Sequence, residues 1–219
     1  MTASRPPVIS DRATDSDARS DASPDADTTR QSWDHTDCEG SVYCPPRCPR
    51  FVDKTGTALL VRSYDPNEYE DLVAMYETFD PAQRAQGLPP QTPARLESWL
   101  EIMLEEGNHV VAVLDGRIVG HAFYTPVGHE EPELAVFVHQ RFHDRGIGTE
   151  LCKHVIAFAA AGGHDALVLD VEKHNRAAVS VYRALGFDAA DRRGRELHMR
   201  LPLSDPIATQ VQRPPAANA

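Results

Sequence analysis

Two glycines, Gly146 and Gly148, open a predicted long helix over residues 146–161, shortly after a predicted strand over residues 133–138. A turn of this kind restricts how the strand and the helix pack, and the missing Cβ atoms let a ligand approach the backbone closely. The unpaired N–H groups of the first helical turn would then face an anion such as a pyrophosphate. A tight turn with close packing is the alternative interpretation, and two glycines alone do not decide between the two.

The other periodicities predict a mixed α/β domain over residues 58–203. In chain order they indicate one strand, two helices, three strands, the helix after the glycines, a strand, a helix and two strands. The predicted ranges are 58–62, 66–75, 92–107, 109–114, 117–125, 133–138, 146–161, 166–171, 175–185, 187–190 and 196–201. The expected fold is therefore a central mixed sheet of about seven strands flanked by four helices.

Both ends of the chain differ in composition from this domain. Residues 1–34 are rich in Asp, Ser, Thr, Ala and Pro and contain almost no large apolar side chains, which predicts a disordered acidic tail. Residues 204–219 contain Pro206, Pro214 and Pro215 and are expected to form a flexible tail. We therefore expect one folded domain with an extension on each side.

The connector over residues 35–57 contains His35, Cys38, Cys44 and Cys48. Three thiolates and an imidazole could form a Cys3His zinc site. The spacings differ from the two-residue knuckles of common zinc fingers, so a proline-rich connector with reduced thiols is the alternative. Both interpretations stay open, and no residue is assigned as a metal ligand.

The overall charge and hydropathy exclude several classes of protein. The net charge is −11, which argues against nucleic acid as the main partner. No apolar run approaches the ~18 residues of a membrane span, and the first residues lack the apolar core of a secretory signal, so we expect a cytoplasmic protein. Lysine occurs three times, against nineteen arginines. This acidic, lysine-poor composition suggests a halophile, although GC-rich coding would also deplete lysine.

A second motif follows the predicted strand 166–171. Asn175 begins the next helix, Tyr182 lies two turns on, and Gly186-Phe187 ends it. Together with the glycine turn, this N-x-x-A-x-x-x-Y-x-x-x-G-F pattern resembles the GNAT superfamily of acyl-CoA-dependent N-acetyltransferases. The resemblance covers residues 58–203. One departure is that His143 stands where the family usually has Gln or Arg, with Asp144 beside it.

The resemblance implies acetyl-CoA as the acyl donor, with pantetheine against the splayed end of strand 134–138 and the pyrophosphate on the amides of the glycine turn. The residues that it assigns to this donor are Phe137, Val138, His143, Arg145, Gly146, Ile147, Gly148, Thr149, Asn175 and Ala178. The implied activity is acetyl transfer to a primary amine of a small molecule or protein, by direct attack in a ternary complex of a monomer or homodimer.

Acetyl transfer requires a group that accepts the amine proton and a group that protonates the departing thiolate. By the family pattern Tyr182 is the candidate acid, and an ordinary half-buried aromatic is the alternative. Glu133 is the candidate base, and a solvated strand end is the alternative. Further candidate bases, which their spacing does not distinguish, are His121, His139 and His174.

Two other classes of function remain open from the sequence. A non-catalytic acyl-CoA-binding sensor would bind the same ligand without turnover. A metal-dependent interaction protein would instead be organised by the cysteines before residue 50. Cys152, on the helix after the glycine turn, fits a small buried hydrophobe rather than a nucleophile.

Overall fold

The computed structural model describes residues 34–83 and 88–218, and its centre is one eight-stranded sheet. The strands are β1 (Arg50–Val52), β2 (Ala58–Ser63), β3 (Asn108–Leu114), β4 (Arg117–Thr125), β5 (Glu133–Val138), β6 (Ala166–Glu172), β7 (Asp188–Arg193) and β8 (Glu196–Pro202). They are ordered β1-β2-β3-β4-β5-β6-β8-β7. The predicted α/β class is confirmed, with one more strand than expected.

The strands β5 and β6 form the one parallel pair in the described sheet, and they separate soon after they meet. Their pairing consists of Glu133 opposite Val168, whereas β4 pairs with β5 from Thr125–Glu133 to Gly120–Val138. Beyond Glu133, the β6-facing edge of β5 is therefore open. This opening in the middle of the sheet positions the candidate site.

Among the described residues, five α-helices cover the sheet: α1 (Tyr69–Glu77), α2 (Pro93–Glu106), α3 (Ile147–Ala161), α4 (Arg176–Ala184) and α5 (Pro206–Gln210). Helices α3, α4 and α5 share one apolar cluster with the sheet, and α1 and α2 share the second. Leu151 and Leu169 are fully buried in the first cluster, and Leu72 and Leu100 in the second. The chain therefore has three layers, with helices on both faces of the sheet.

The additional strand lies in the segment that the sequence predicts to be a connector. β1 pairs antiparallel with β2, and the Val61 N–H donates to the Pro49 carbonyl 2.8 Å away. Three residues among prolines are too few to show an alternating pattern in the sequence. The strand forms because the backbone of β2 supplies its hydrogen-bond partners. The predicted domain therefore begins earlier than residue 58, at least from Pro49.

The expected flexible tail after residue 204 is also corrected by the structure. The Asp205 carboxylate accepts the Ile207 N–H at 2.9 Å, which caps α5. Ala208 and Val211 are buried in the apolar cluster of α3. The prolines predict a flexible segment, but an Asp before a Pro is also a common start of a helix.

Two further expectations concern the ends and the surface of the chain. The predicted disordered tail lies outside the described residues, apart from Asp34. Within the described ranges, no helix combines the length and the apolar character needed to cross a bilayer.

Candidate active site

The open edge of β5 offers backbone N–H groups toward β6. Val168 donates its N–H to the Pro132 carbonyl, so Pro132 directs its backbone groups toward β6. Because these directions alternate along a strand, the N–H groups of Val136 and Val138 face the same side, beyond the last paired residue. The N–H of Phe137 faces β4, where Phe137 is paired with His121. Of the two predicted strand residues, the opening therefore presents the amide of Val138 and not that of Phe137; Val136 is an additional donor.

The glycine turn lies at the end of β5 that has separated from β6. Gly146 has φ +87°, a left-handed conformation that favours glycine, and it stands directly before α3. A Cβ on Gly148 would lie 3.5 Å from Cγ2 of Val138, so the fold itself has room for a side chain there. The first-turn amides of Ile147, Gly148 and Thr149 have no preceding helical carbonyl to bind and form an anion-binding helix start.

The side chains of this loop are turned away from the helix start. The His143 Nε2–H donates to the Val138 carbonyl at 2.8 Å, and Arg145 forms an ion pair with Asp53. The Arg145 guanidinium also lies 5.4 Å from the centre of the Phe142 ring. Asp144, the acidic residue of the turn, is exposed to solvent. The turn can therefore present backbone amides rather than its own charged side chains.

Helix α4 carries the second motif and follows β6, the strand that borders the opening on the other side from β5. The Asn175 side chain accepts the Ala178 N–H at 3.1 Å and so caps the helix. The Tyr182 side chain packs edge-on against Phe187, and only 9% of Tyr182 is exposed. Burial, with a smaller contribution from Cys152, raises the pKa of Tyr182 above its usual value. The phenol is protonated at neutral pH and can donate a proton.

On the face of the sheet opposite α3, polar side chains of three neighbouring strands lie close together. The His198 Nδ1–H on β8 donates to the Asp170 Oδ1 on β6 at 3.1 Å. Glu133, on the same face at the start of β5, is exposed at its rim, yet partial desolvation and the nearby Asp170 raise its pKa. We refer to Glu133, Asp170 and His198 as the polar shelf. Sequence reasoning missed its histidine, because register between β6 and β8 is not visible in the sequence.

The three histidines that the sequence offers as bases lie outside this shelf. His121 is fully buried and is hydrogen-bonded on both ring nitrogens. His139 is mostly buried beside Gln140, 3.2 Å from its side-chain amide. His174 is 81% exposed and lies 3.2 Å from Glu172. Of the predicted bases, Glu133 is the one on the shelf.

The cysteines of the connector are free thiols in this structure. Cys38 and Cys44 are exposed, and hydrogen bonds from Ser41 lower the pKa of the Cys44 thiol. In residues 34–83 and 88–218, no group of three His, Cys, Asp or Glu side chains is placed to hold a metal ion. The zinc interpretation therefore gains no support. Cys152 is buried, which raises the pKa of its thiol to about 12 and fits the predicted inert role.

Comparison with known proteins identifies the family of this fold. The model of the Acetyltransferase (GNAT) family matches residues 72–187, which include both predicted motifs. Two similar relatives are a probable N-acetyltransferase camello of Xenopus tropicalis and the N-alpha-acetyltransferase RimI of Mycobacterium tuberculosis. The first is 34% identical over 89 residues, 39% of this chain and 41% of its own length. The second is 31% identical over 118 residues, 52% of this chain and 72% of its own length.

A solved structure gives the same result for the fold. A putative acetyltransferase of Salmonella typhimurium, solved with its cofactor acetyl-CoA, superposes with a TM-score of 0.55 at 19% identity. The match covers 68% of this chain and 96% of that one. At this identity the likeness concerns the fold alone. Because the chain spans 41% and 62% of the first two curated relatives, their activities are not transferred to it directly.

Proposed function

This chain belongs to the GNAT acetyltransferase family, and on that premise we propose that it is an N-acetyltransferase. It transfers an acetyl group from acetyl-CoA, the acyl donor of this family, to a primary amine of a small molecule or protein. The amine attacks directly in a ternary complex. The single observation that carries this proposal is the open β5 edge leading to a glycine turn at the start of α3.

The residues present fit the donor. The N–H groups of Val136 and Val138 would bind the pantetheine arm or the thioester carbonyl, as backbone donors do in oxyanion holes. The amides of Ile147, Gly148 and Thr149 would hold the diphosphate, which the missing side chain of Gly148 allows to approach. When bound, the thioester supplies an acetyl carbonyl that is reactive toward amines.

Tyr182 is proposed to hold the proton that the departing thiolate needs. Its phenol is protonated at neutral pH, and burial raises its pKa further. In the part of the chain that the structure describes, the Tyr182 hydroxyl has no hydrogen-bond partner and keeps some exposure to solvent. The side chain can thus donate toward the opening next to α3.

The polar shelf is proposed to accept the proton of the amine. A lysine-type amine has a pKa of about 10.4 and must lose a proton before it can attack. Glu133 is the base that the sequence predicts, and its raised pKa makes its carboxylate a better proton acceptor. In the His198–Asp170 pair the carboxylate fixes Nδ1 as the donor, which leaves Nε2 free to accept a proton. The carboxylates of the polar shelf favour a cationic amine as the acceptor. We expect the enzyme to act in the cytoplasm as a monomer or homodimer.

Release of free CoA thiol with a panel of amines, among them spermidine, lysine and alanine-initiated peptides, tests the proposal. At least one amine should accelerate thiol release by the wild-type chain. Tyr182→Phe should lower kcat about 10- to 100-fold without changing the affinity for acetyl-CoA, because the ring stays and the proton donor is lost. His174→Gln, which removes an exposed histidine, is the matched control.

The outcomes separate the classes of function. Binding of acetyl-CoA without turnover on any amine would favour the non-catalytic acyl-CoA-binding sensor. Turnover that is unchanged in Tyr182→Phe would remove the role of that residue while leaving the activity. No binding of acetyl-CoA would contradict the proposal as a whole.

A further inference from the structure

The turn between β1 and β2 packs against the glycine turn. The Lys54 N–H donates to the Arg145 carbonyl at 3.1 Å, and Arg145 returns an ion pair to Asp53. Asp53 is 5% exposed, and its other carboxylate oxygen accepts the N–H groups of Thr55 and Thr57. The hairpin therefore holds Lys54 at a fixed place beside the loop that precedes α3.

The side chain of Lys54 extends over the position where Gly146 has no side chain. Its Cγ and Cε each lie 3.7 Å from the point that a Cβ on Gly146 would occupy. The ring of Phe51 approaches the same point, with its Cζ also at 3.7 Å. The ammonium is one bond beyond Cε, so it lies close to Gly146, the residue directly before α3.

Two arginines of this region are held by protein groups. Arg145 pairs with Asp53, and Arg47 makes a bidentate pair with Glu150, at 2.6 and 3.0 Å, and donates to the Val211 carbonyl. Lys54 is exposed, and none of the ion pairs found among the described residues includes it. A charged donor whose stem is fixed and whose head is free is suited to an anionic ligand.

We propose that Lys54 is a diphosphate-binding residue, whose ammonium contacts the phosphate oxygens of CoA when these lie on the amides of α3. This inference rests on the proposed function and adds to it a contact from outside the two motifs that define the family resemblance. It also accounts for the departure from the family pattern at the start of the glycine turn, where His143 replaces the usual Gln or Arg. The His143 side chain is hydrogen-bonded to the Val138 carbonyl, so the hairpin between β1 and β2 supplies the cation instead. The amides give the site its shape, and Lys54 adds charge.

Calorimetry with the full chain tests this proposal, using CoA and 3′-dephospho-CoA as ligands. Lys54→Met keeps the apolar stem and removes the charge, and it should weaken binding of both ligands about tenfold, since both carry the diphosphate. Lys54→Arg should restore most of the affinity. Arg95→Met, which removes the same charge from α2 on the other face of the sheet, should change neither affinity. The affinity of wild type for CoA should also fall more steeply with added salt than that of Lys54→Met.

The results distinguish this inference from the proposed function. Unchanged affinity in Lys54→Met, with thermal unfolding at the wild-type temperature, would overturn the role of Lys54 and leave the acetyl-CoA site intact. A loss for CoA but not for 3′-dephospho-CoA would place Lys54 on the 3′-phosphate and contradict the diphosphate contact. A wild-type chain that binds neither ligand would overturn both.

Discussion

Two groups of polar side chains share one face of the sheet, and they differ in what covers them. The first is a buried chain of hydrogen bonds beneath α1 and α2: Tyr76 Oη to His121 Nδ1 at 2.7 Å, His121 Nε2 to His109 Nδ1 at 2.9 Å, and His109 Nε2 to the Met103 carbonyl at 2.7 Å. The second is the polar shelf on β5, β6 and β8, which is partly open to solvent.

The buried chain has one self-consistent arrangement of protons. The Met103 carbonyl can only accept, so the Nε2 of His109 donates to it. Neutral His109 then accepts from His121 on Nδ1, and His121 accepts the Tyr76 hydroxyl on its own Nδ1. Burial lowers the pKa of His109 to about 4 and that of His121 well below its usual value, so both rings are neutral. Every nitrogen is used, and none can accept a proton from a substrate.

The polar shelf shows the opposite arrangement. Asp170 engages one nitrogen of His198, and the other nitrogen is free of this pair. Glu133 is exposed at the rim with a raised pKa. The same residue type therefore stabilises the fold where helices cover the sheet and is available for chemistry where they do not. Coverage by other elements, rather than residue identity, separates the two roles.

The largest expected effect is on the stability of the buried chain. His121→Leu leaves the Tyr76 hydroxyl and the Nδ1 of His109 buried without partners, which should lower the free energy of unfolding by about 4 kcal/mol. Urea denaturation measures it, with His198→Asn on the shelf as the control, expected within about 0.5 kcal/mol of wild type. Equal losses in the two variants would erase the distinction between the regions.

The next effect is the pH dependence of stability. The folded-state pKa of His109, about 4, lies below the ordinary value of 6.5, so the unfolded chain binds the proton first as the pH falls. The contribution of neutral His109 to the free energy of unfolding is therefore complete above pH 6.5 and is lost toward pH 4. The loss between pH 7 and pH 5 should be about 2 kcal/mol. Urea denaturation at both pH values should show a smaller loss for His109→Gln than for wild type. Identical losses would contradict a neutral buried His109.

A third prediction concerns turnover on the shelf. His198→Asn and Glu133→Gln each remove a proton acceptor, and the variant that lacks the true base should lose about 100-fold in kcat, with its affinity for acetyl-CoA unchanged. Free-thiol release with an active amine from the panel, followed against pH, identifies it, because the acidic limb of the profile disappears with the base. Full activity in both variants would remove the shelf from the mechanism.

The comparison also shows what the sequence could predict. Periodicity and turn residues are local, and they located the seven predicted strands and the four longer helices. The pairing of His198 with Asp170 depends on register between β6 and β8, which the sequence does not encode locally. Strand β1 was missed because three residues among prolines are too few to show an alternating pattern, although its partner β2 follows within ten residues. Helix α5 was missed because the apolar cluster on which it packs is formed by residues far away in the chain.

Gly107 illustrates a correct boundary with a different physical cause. The sequence predicts that α2 ends there, as glycine often does at a helix C-terminus. The structure shows φ −110°, which other residues also adopt, and a Cβ would lie 2.5 Å from the Nε2 of His109 and 2.8 Å from the Met103 carbonyl oxygen. Glycine is required because His109 and the Met103 carbonyl, which form the last hydrogen bond of the buried chain, leave no space for a side chain at this position. Only the tertiary contact reveals that reason.

The central claim is that the amides after the glycine turn bind the diphosphate of acetyl-CoA, and calorimetry with Gly148→Val tests it most directly. The Cβ would make only ordinary contact with Val138, so the fold should tolerate the change while the side chain blocks the ligand. We expect the wild-type chain to bind acetyl-CoA and Gly148→Val to bind at least about thirtyfold more weakly, a loss of about 2 kcal/mol. Gly128→Val, where a Cβ meets open space, should bind like wild type. Wild-type affinity in Gly148→Val, or no binding by the wild type, would contradict the account.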